Sequence, residues 1–575
     1  MGTFASTKTR GAAALLALFL AACGGGGGGS APAPTPAPPP VQQTDGSLDD
    51  PTVYSSGADA ALASAIEAAA VTPRSLVLGG QRLDYTATAG HLIAREPDGA
   101  QRPQASFFYV AYTLNGANPA TRPVTFFYNG GPGSASVWLH LGSYGPKRLA
   151  TGAPSTTGTQ DFPLVDNADT LLPQTDLVFV NAISTGRSQA IAPFSNRSFW
   201  GVDADAAVFR DFVRRYLDVN QRNASPKFLF GESYGGPRTA VLARRLQDAG
   251  VMLDGLVLQS PALDYNSNCD IGSAPTIACT GYVPSYAATG AWFGLSRPVP
   301  TDLGAWVNQV RQFASTRYAP AVQTFLSQGS VPADLPPLLA DWTGLPAVQW
   351  QSQFNLPPSP YRSRLLPGQL LGRYDARMAA PNGSVLAAEG DPSSTFISGG
   401  FARAIDRYLR DELRYRNAST YVVLSNAIQL WDFRHAGRNL PDTVPDLAAA
   451  LAQNPRLRIL AVNGVHDLAT PFHTTELDLA RLGSDRVQVS NHAGGHMSYL
   501  DDTSRPAQRA ALAQFYAQVL ANRPASAAPE RQAQAARERP PADRVGVWPP
   551  QPQAPVAPEP AVQGVLCDPC VPPRR

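Results

Sequence analysis

The chain has 575 residues, with 46 lysines and arginines against 44 aspartates and glutamates and a formal net charge of +2. That balance removes any electrostatic reason to expect nucleic acid as a partner. Hydrophobic residues make up 44% and charged residues only 16%, so a large core is possible, while both ends read as unstructured and shorten the folded part.

The first 22 residues read as a secretory signal peptide. Lys8 and Arg10 precede an apolar run over residues 11–22, too short for the roughly 20 residues that a helix needs to span a bilayer. The run ends Leu20-Ala21-Ala22-Cys23, which resembles the lipobox of bacterial lipoproteins. The resemblance implies acylation of Cys23, cleavage before it, and a membrane anchored lipoprotein on the periplasmic or cell-surface side. An ordinary signal peptide with a chance cysteine is the alternative. Six glycines and a Pro/Ala-rich stretch to Pro40 follow, a composition that buries no core and suits a tether, read over residues 23–50.

With Cys23 committed to lipid, the other four cysteines can pair locally. An exported chain meets an oxidising compartment, so Cys269 and Cys279 are expected as a disulfide closing a loop. Cys567 and Cys570 form a C-x-x-C in a Pro/Ala/Arg-rich tail, read as disordered over residues 522–575. That tail offers neither the βαβ context of a redox motif nor two further metal ligands.

Between tether and tail, strands and helices alternate. Residues 105–112 and 124–128 are aromatic and β-branched runs bounded by Gly, Pro and Asn, so both predict strands. Residues 177–180, 228–230, 256–258 and 459–462 are short continuous apolar runs, the pattern of strands buried on both faces. Phe209, Phe212, Val213, Tyr216 and Leu217 make one helical stripe, and residues 237–249 predict a second helix, stopped by Gly250. Strand, helix, strand in this order means a parallel sheet with crossover helices. From 265 to 420 the rhythm gives way to prolines and aromatics, read as a cap insertion over the sheet. An independent second domain is the alternative, weakened because the sheet pattern resumes at 421–521.

Gly231-Glu232-Ser233-Tyr234-Gly235 matches G-x-S-x-G between a buried strand and a helix, the setting that exposes a nucleophilic serine on a sharp turn. Serine needs a base, and the base an orienting acid. In α/β-hydrolases the acid and then the histidine come later in the chain. Asp467 follows the strand at 459–462, and His496 follows the strand-like 486–490 in a glycine-flanked loop. Both sit at C-terminal strand ends, where such sheets bind ligands. His492 is the nearest competitor for the base; His466 and His473 complete no metal-ligand spacing with Asp467. Asn129-Gly130-Gly131-Pro132-Gly133 follows the strand at 124–128 and lets backbone N–H groups face a bound oxygen, so Gly131 and Tyr234 are assigned as the oxyanion hole. The fold class is therefore α/β, an α/β-hydrolase with a mostly parallel central sheet, helices on both faces and a cap. Residues 51–264 and 421–521 form its two parts.

N-G-G-P-G, G-E-S-Y-G, N-G-x-x-D and G-G-H-M, in this order, resemble the serine carboxypeptidases, peptidase family S10, from about Leu83 to Leu520. Thr185-Gly186 and Ser260-Pro261 match as well. The resemblance implies release of single residues from peptide C-termini through an acyl-enzyme, without metal or cofactor. It also implies that Asn129 and Glu232 bind the terminal carboxylate, which Glu232 can do only when protonated, giving an acidic preference. The chain departs from the pattern in three places. Ser134 stands where the family has a cysteine, so the usual disulfide there is missing. Ser143 stands where a second glutamate supports the carboxylate site, which weakens that network and with it strict exopeptidase selectivity. Asn181 stands where an aspartate is common. An esterase or acyltransferase using the same triad is the second reading, and an inactive hydrolase fold used for binding the third.

Overall fold

The computed structural model of the chain describes residues 41–42, 45–271 and 276–523. The signal peptide, Cys23 and the C-terminal tail with Cys567 and Cys570 lie outside the described residues.

Among the described residues, nine strands form the main path of one sheet. They are β1 (Ala68–Leu78), β2 (Gln81–Arg95), β3 (Pro103–Leu114), β4 (Val124–Tyr128), β5 (Asp176–Val180), β6 (Lys227–Glu232), β7 (Gly255–Gln259), β8 (Arg458–Gly464) and β9 (Val487–His492). Their spatial order is β1-β2-β3-β5-β4-β6-β7-β8-β9. The first three strands and the β3–β5 contact are antiparallel. Every neighbouring pair from β5 through β4 to β9 is parallel. After β4 the chain crosses to β5 on one side and then returns to β6 on the other. A crevice opens at such a switch point, beyond the C-terminal strand ends.

The apolar runs predicted to be strands are buried on both faces. Phe107, Tyr109 and Ala111 of β3 enter one core, while Phe108, Val110 and Tyr112 enter the other. The same alternation sends Phe126 and Tyr128 to one side and Phe127 to the other. Period-two side-chain geometry makes this unavoidable in a two-sided sheet. Phe127 stacks between Phe179 and Phe230 at 4.9 and 4.8 Å, an aromatic rung across three strands.

Helices cover each face. The stripe predicted at Phe209, Phe212, Val213, Tyr216 and Leu217 is the buried side of α2 (Val202–Val219), beside α3 (Gly235–Asp248) on the first core. The second core takes the short α1 (Val137–Gly142), α4 (Pro392–Arg407) and α6 (Arg505–Ala521), with α5 (Val444–Gln453) on the first.

Three boundaries differ from the sequence reading. The hairpin β1–β2 is not among the predicted strands: β1 alternates buried and exposed positions along the sheet edge, and Pro73 and Arg74 interrupt its apolar residues. Its turn is Gly79-Gly80, both with positive φ (56° and 81°). The tether expected to reach residue 50 stops sooner. Leu48–Asp49 pairs with Tyr415–Arg416, Leu48 is buried, and the Tyr415 hydroxyl donates to Asp50 at 2.6 Å. The cap expected over 265–420 is also shorter. Its own core gathers Tyr282, Tyr286, Trp306, Tyr318, Trp350 and Tyr361, whereas Phe396, Ile397, Phe401 and Ile405 of α4 join the core under the sheet.

Candidate active site

Ser233 stands where β6 turns into α3. Its φ of 62° puts a non-glycine residue in the left-handed region, a strain of roughly 1–3 kcal/mol that persists only where the surroundings enforce it. Close backbone packing enforces it here. A Cβ on Gly231 would meet the Gly235 carbonyl oxygen at 2.2 Å, and one on Gly236 would meet Pro261 at 2.5 Å. Ser233 N–H donates to the Gln259 carbonyl (3.0 Å), and its own carbonyl accepts from Gly236 (2.8 Å). The glycines of the elbow and Pro261 thus form one packing unit.

The structure brings the predicted acid and base together. His496 Nδ1 lies 2.8 Å from Asp467 Oδ2. That contact puts the ring proton on Nδ1 and leaves Nε2 as the basic nitrogen. The second oxygen of Asp467 accepts from the backbone of Ala469 (2.7 Å) and Thr470 (3.1 Å). The Thr470 hydroxyl lies within reach of Asp467 Oδ2, at 2.8 Å, and of His496 Nδ1, at 3.0 Å. Burial works to lower the basicity of His496, but Asp467, with help from Glu232, outweighs it and holds the imidazole above its ordinary value. The backbone of His496 is fixed as well. Its N–H donates to the Tyr374 carbonyl (2.5 Å), and its carbonyl accepts from the Ser260 hydroxyl (2.7 Å).

Ser233 and His496 line one cavity of about 310 Å³ together with Asn129, Gly131, Glu232 and Thr470. The loop after β4 lies directly on the elbow, since a Cβ on Gly130 would meet Tyr234 N at 2.4 Å. Among the described residues, the N–H groups of Gly131 and Tyr234 have no hydrogen-bond partner, as donors held for an oxyanion require. Beneath this loop sits fully buried Arg238, which donates to the Asn129 carbonyl (2.5 Å) and to Asp205 (2.6 Å) and packs over Phe209. No motif marks Arg238 in the sequence.

Asn129 and Glu232 meet at one end of the cavity. Asn129 Nδ2 donates to Glu232 Oε1 (2.8 Å), while its Oδ1 accepts from Leu139 N–H (3.1 Å), which fixes the amide orientation. The Tyr499 hydroxyl donates to Glu232 Oε2 (2.6 Å). Burial pushes the Glu232 carboxyl up to about 7, against the opposing pull of His496 and of both hydrogen bonds. Ser143 does not join this group; it is buried and donates back to the Leu139 carbonyl within its own helix turn (2.5 Å). The other departures keep local roles. Ser134 accepts from the Trp138 indole (2.8 Å), and Asn181 Oδ1 accepts from the Ser136 hydroxyl (2.8 Å) and Tyr421 (2.9 Å).

The rest of the cavity wall is largely apolar. Trp138, Ile397, Val423 and Met497 belong to or pack on the core beneath α1 and α4, on the side of Asn129 and Glu232. Tyr265, Ile271 and Phe433 belong to the opposite core. Cys269 and Cys279 are bonded, with Cα atoms 5.3 Å apart. Asp270 in that loop pairs with Arg373 of the cavity wall (2.6 Å). The remaining candidate histidines lie apart from this group. His492 pairs with Ser490 (2.8 Å), His473 with Glu476 (2.8 Å), and His466 packs against Trp292.

A model of the serine carboxypeptidase family matches residues 79–272. That segment is about a third of the chain and carries the glycine loop, Glu232 and Ser233 but neither Asp467 nor His496. No curated protein sequence matches significantly. Among solved structures, Kex1, a prohormone-processing carboxypeptidase from Saccharomyces cerevisiae, aligns at 16% identity over 75% of this chain and 91% of its own, with a TM-score of 0.49. A proline iminopeptidase from Mycobacterium smegmatis aligns at 14% identity over 78% of this chain and 99% of its own, with a TM-score of 0.29. A thermophilic esterase from Thermogutta terrifontis aligns at 12% identity over 75% and 98%, with a TM-score of 0.31.

Proposed function

We propose that this chain is a serine carboxypeptidase of family S10 that removes single residues from peptide C-termini. The observation that carries the reading is the Asn129–Glu232 pair, facing the same cavity as Ser233 and His496. When protonated, a buried carboxyl beside the nucleophile can donate to the carboxylate at the end of a peptide.

In this mechanism Ser233 Oγ attacks the scissile carbonyl while His496 Nε2 takes its proton, and Asp467 stabilises the imidazolium. The N–H groups of Gly131 and Tyr234 receive the developing oxyanion. His496 then passes the proton to the leaving amine, which departs as a free amino acid, and water releases the acyl group from Ser233. Asn129 and protonated Glu232 donate to the substrate's terminal carboxylate. The apolar walls on both sides favour apolar residues flanking the cleaved bond. Anchoring by a lipid on Cys23 places this activity outside the cytoplasm, facing peptides of the periplasm or cell surface.

Mass spectrometry of products from a free-acid peptide tests the reading. Stepwise loss of C-terminal residues, abolished by Ser233→Ala, supports it; internal cleavage, or ester hydrolysis without trimming, contradicts it.

A further inference from the structure

We propose that Tyr499 is a positioning residue of the carboxylate site, holding Glu232 in the orientation that faces the cavity and standing in for the second carboxyl that Ser143 does not supply. The inference rests on the carboxypeptidase reading and adds to it a residue that no sequence motif marks.

The geometry is specific. Tyr499 is fully buried behind Glu232, its ring edge-on to Tyr144 at 6.4 Å. Its hydroxyl donates to Glu232 Oε2 at 2.6 Å while Asn129 donates to Oε1 at 2.8 Å. Each carboxyl oxygen therefore has one donor from the protein and keeps further capacity for the cavity. The short turn Ser498–Leu500 carries the phenol, and the next residue, Asp501, is tied to buried Arg377 at 2.6 Å. The donor is thus held by the same backbone segment that carries His496.

A phenol differs from a carboxyl in a way that matters for function. Two carboxyls in contact share a proton and raise each other's hold on it. Tyr499, which burial keeps protonated, donates to Glu232 and so favours its ionised form. The other groups facing Glu232 are His496 from the same loop, Asp467 after β8 and Tyr144 after α1. His496 opposes proton uptake by Glu232 and Asp467 favours it, and all three remain when Tyr499 is changed. Removing the hydroxyl alone should therefore widen the pH range in which Glu232 is protonated, while loosening its orientation.

The test is Tyr499→Phe, assayed on a free-acid peptide and a simple ester across pH. We expect KM for the peptide to rise more than KM for the ester, and the alkaline limb of peptide kcat/KM to move up by about one pH unit, the tenfold worth of a hydrogen bond to a charged group. In a Glu232→Gln background the same change should move no limb. A purely structural role would lower kcat on both substrates with the limb in place; that result, or a limb moved to lower pH, overturns the proposal. Difference infrared spectroscopy of the carboxyl band, assigned by its loss in Glu232→Gln, gives a readout without substrate. Its midpoint should rise in Tyr499→Phe, and an unmoved midpoint also overturns the proposal. If the wild type trims no peptide, the carboxypeptidase reading falls, and the infrared midpoint still decides the role of Tyr499.

Discussion

Glu232→Gln isolates the charge of one buried carboxyl and yields both a stability and an activity readout. Burial lifts the group from 4.5 to about 7. Between those values the folded protein holds a proton that the unfolded chain has released. The stability contributed by Glu232 is therefore fully present below about 4.5 and is lost as pH rises through about 7. At about 1.4 kcal/mol per pH unit the loss amounts to roughly 3 kcal/mol. Glutamine imitates the protonated form at every pH, and the Tyr499 hydroxyl can turn to accept from its amide. Urea denaturation at about pH 4 and about pH 8 should show the variant gaining roughly 3 kcal/mol on the wild type between the two. Its kcat/KM for free-acid peptides should also lose the decline above about pH 7. An equal stability difference at both pH values would refute the reasoning, because it would mean that the folded protein holds the Glu232 proton no more tightly than the unfolded chain does.

Three further outcomes follow from the packing around the nucleophile. Arg238→Met strands buried Asp205 without its partner and should cost about 3–5 kcal/mol in urea denaturation, much of it restored by adding Asp205→Leu; an unchanged midpoint contradicts this. Gly130→Ala drives a methyl group into Tyr234 N, and should lower kcat by about a hundredfold or more in a variant whose circular dichroism is native; full activity would remove Tyr234 N–H from the oxyanion hole. Thr470→Val deletes the hydroxyl shared between Asp467 and His496, and should lower kcat about tenfold at constant KM. A rise in KM alone would place Thr470 in substrate binding instead.

Much of the catalytic end of the sheet is legible in the sequence for a physical reason. Strands covered on both faces must be continuously apolar, so β4 to β8 stand out as runs such as Val124–Tyr128 and Asp176–Val180. The elbow and the loop after β4 stand out because backbone approaches that exclude a Cβ leave glycine at Gly130, Gly231 and Gly236. The edge strand β1 carries no such constraint, and the outer half of its neighbour β2 alternates in burial as well. Leu48 looked like tether because one buried leucine in a polar stretch is no pattern; only its pairing with Tyr415–Arg416 gives it meaning. Tyr499 and Arg238 were invisible for a related cause. Each acts through bonds to residues distant in the sequence, Tyr499 to Glu232 and Arg238 to the Asn129 carbonyl and Asp205, and neither lies in a motif that announces the partner. Ser143 shows the converse: counting along the chain marked it as a loss, and the fold fills the place behind Glu232 from a different segment.

The central claim is that Asn129 and Glu232 make Ser233 selective for substrates ending in a carboxylate. The most direct measurement is the ratio of kcat/KM for a free-acid peptide to that for the same peptide amidated at its C-terminus, taken at about pH 6. The account expects a preference for the free acid of at least about a hundredfold, since an amide end leaves buried polar groups unpaired. The preference should collapse in Glu232→Ala. Equal rates on the two peptides, with Ser233→Ala silent on both, would keep the nucleophile and contradict the carboxylate site.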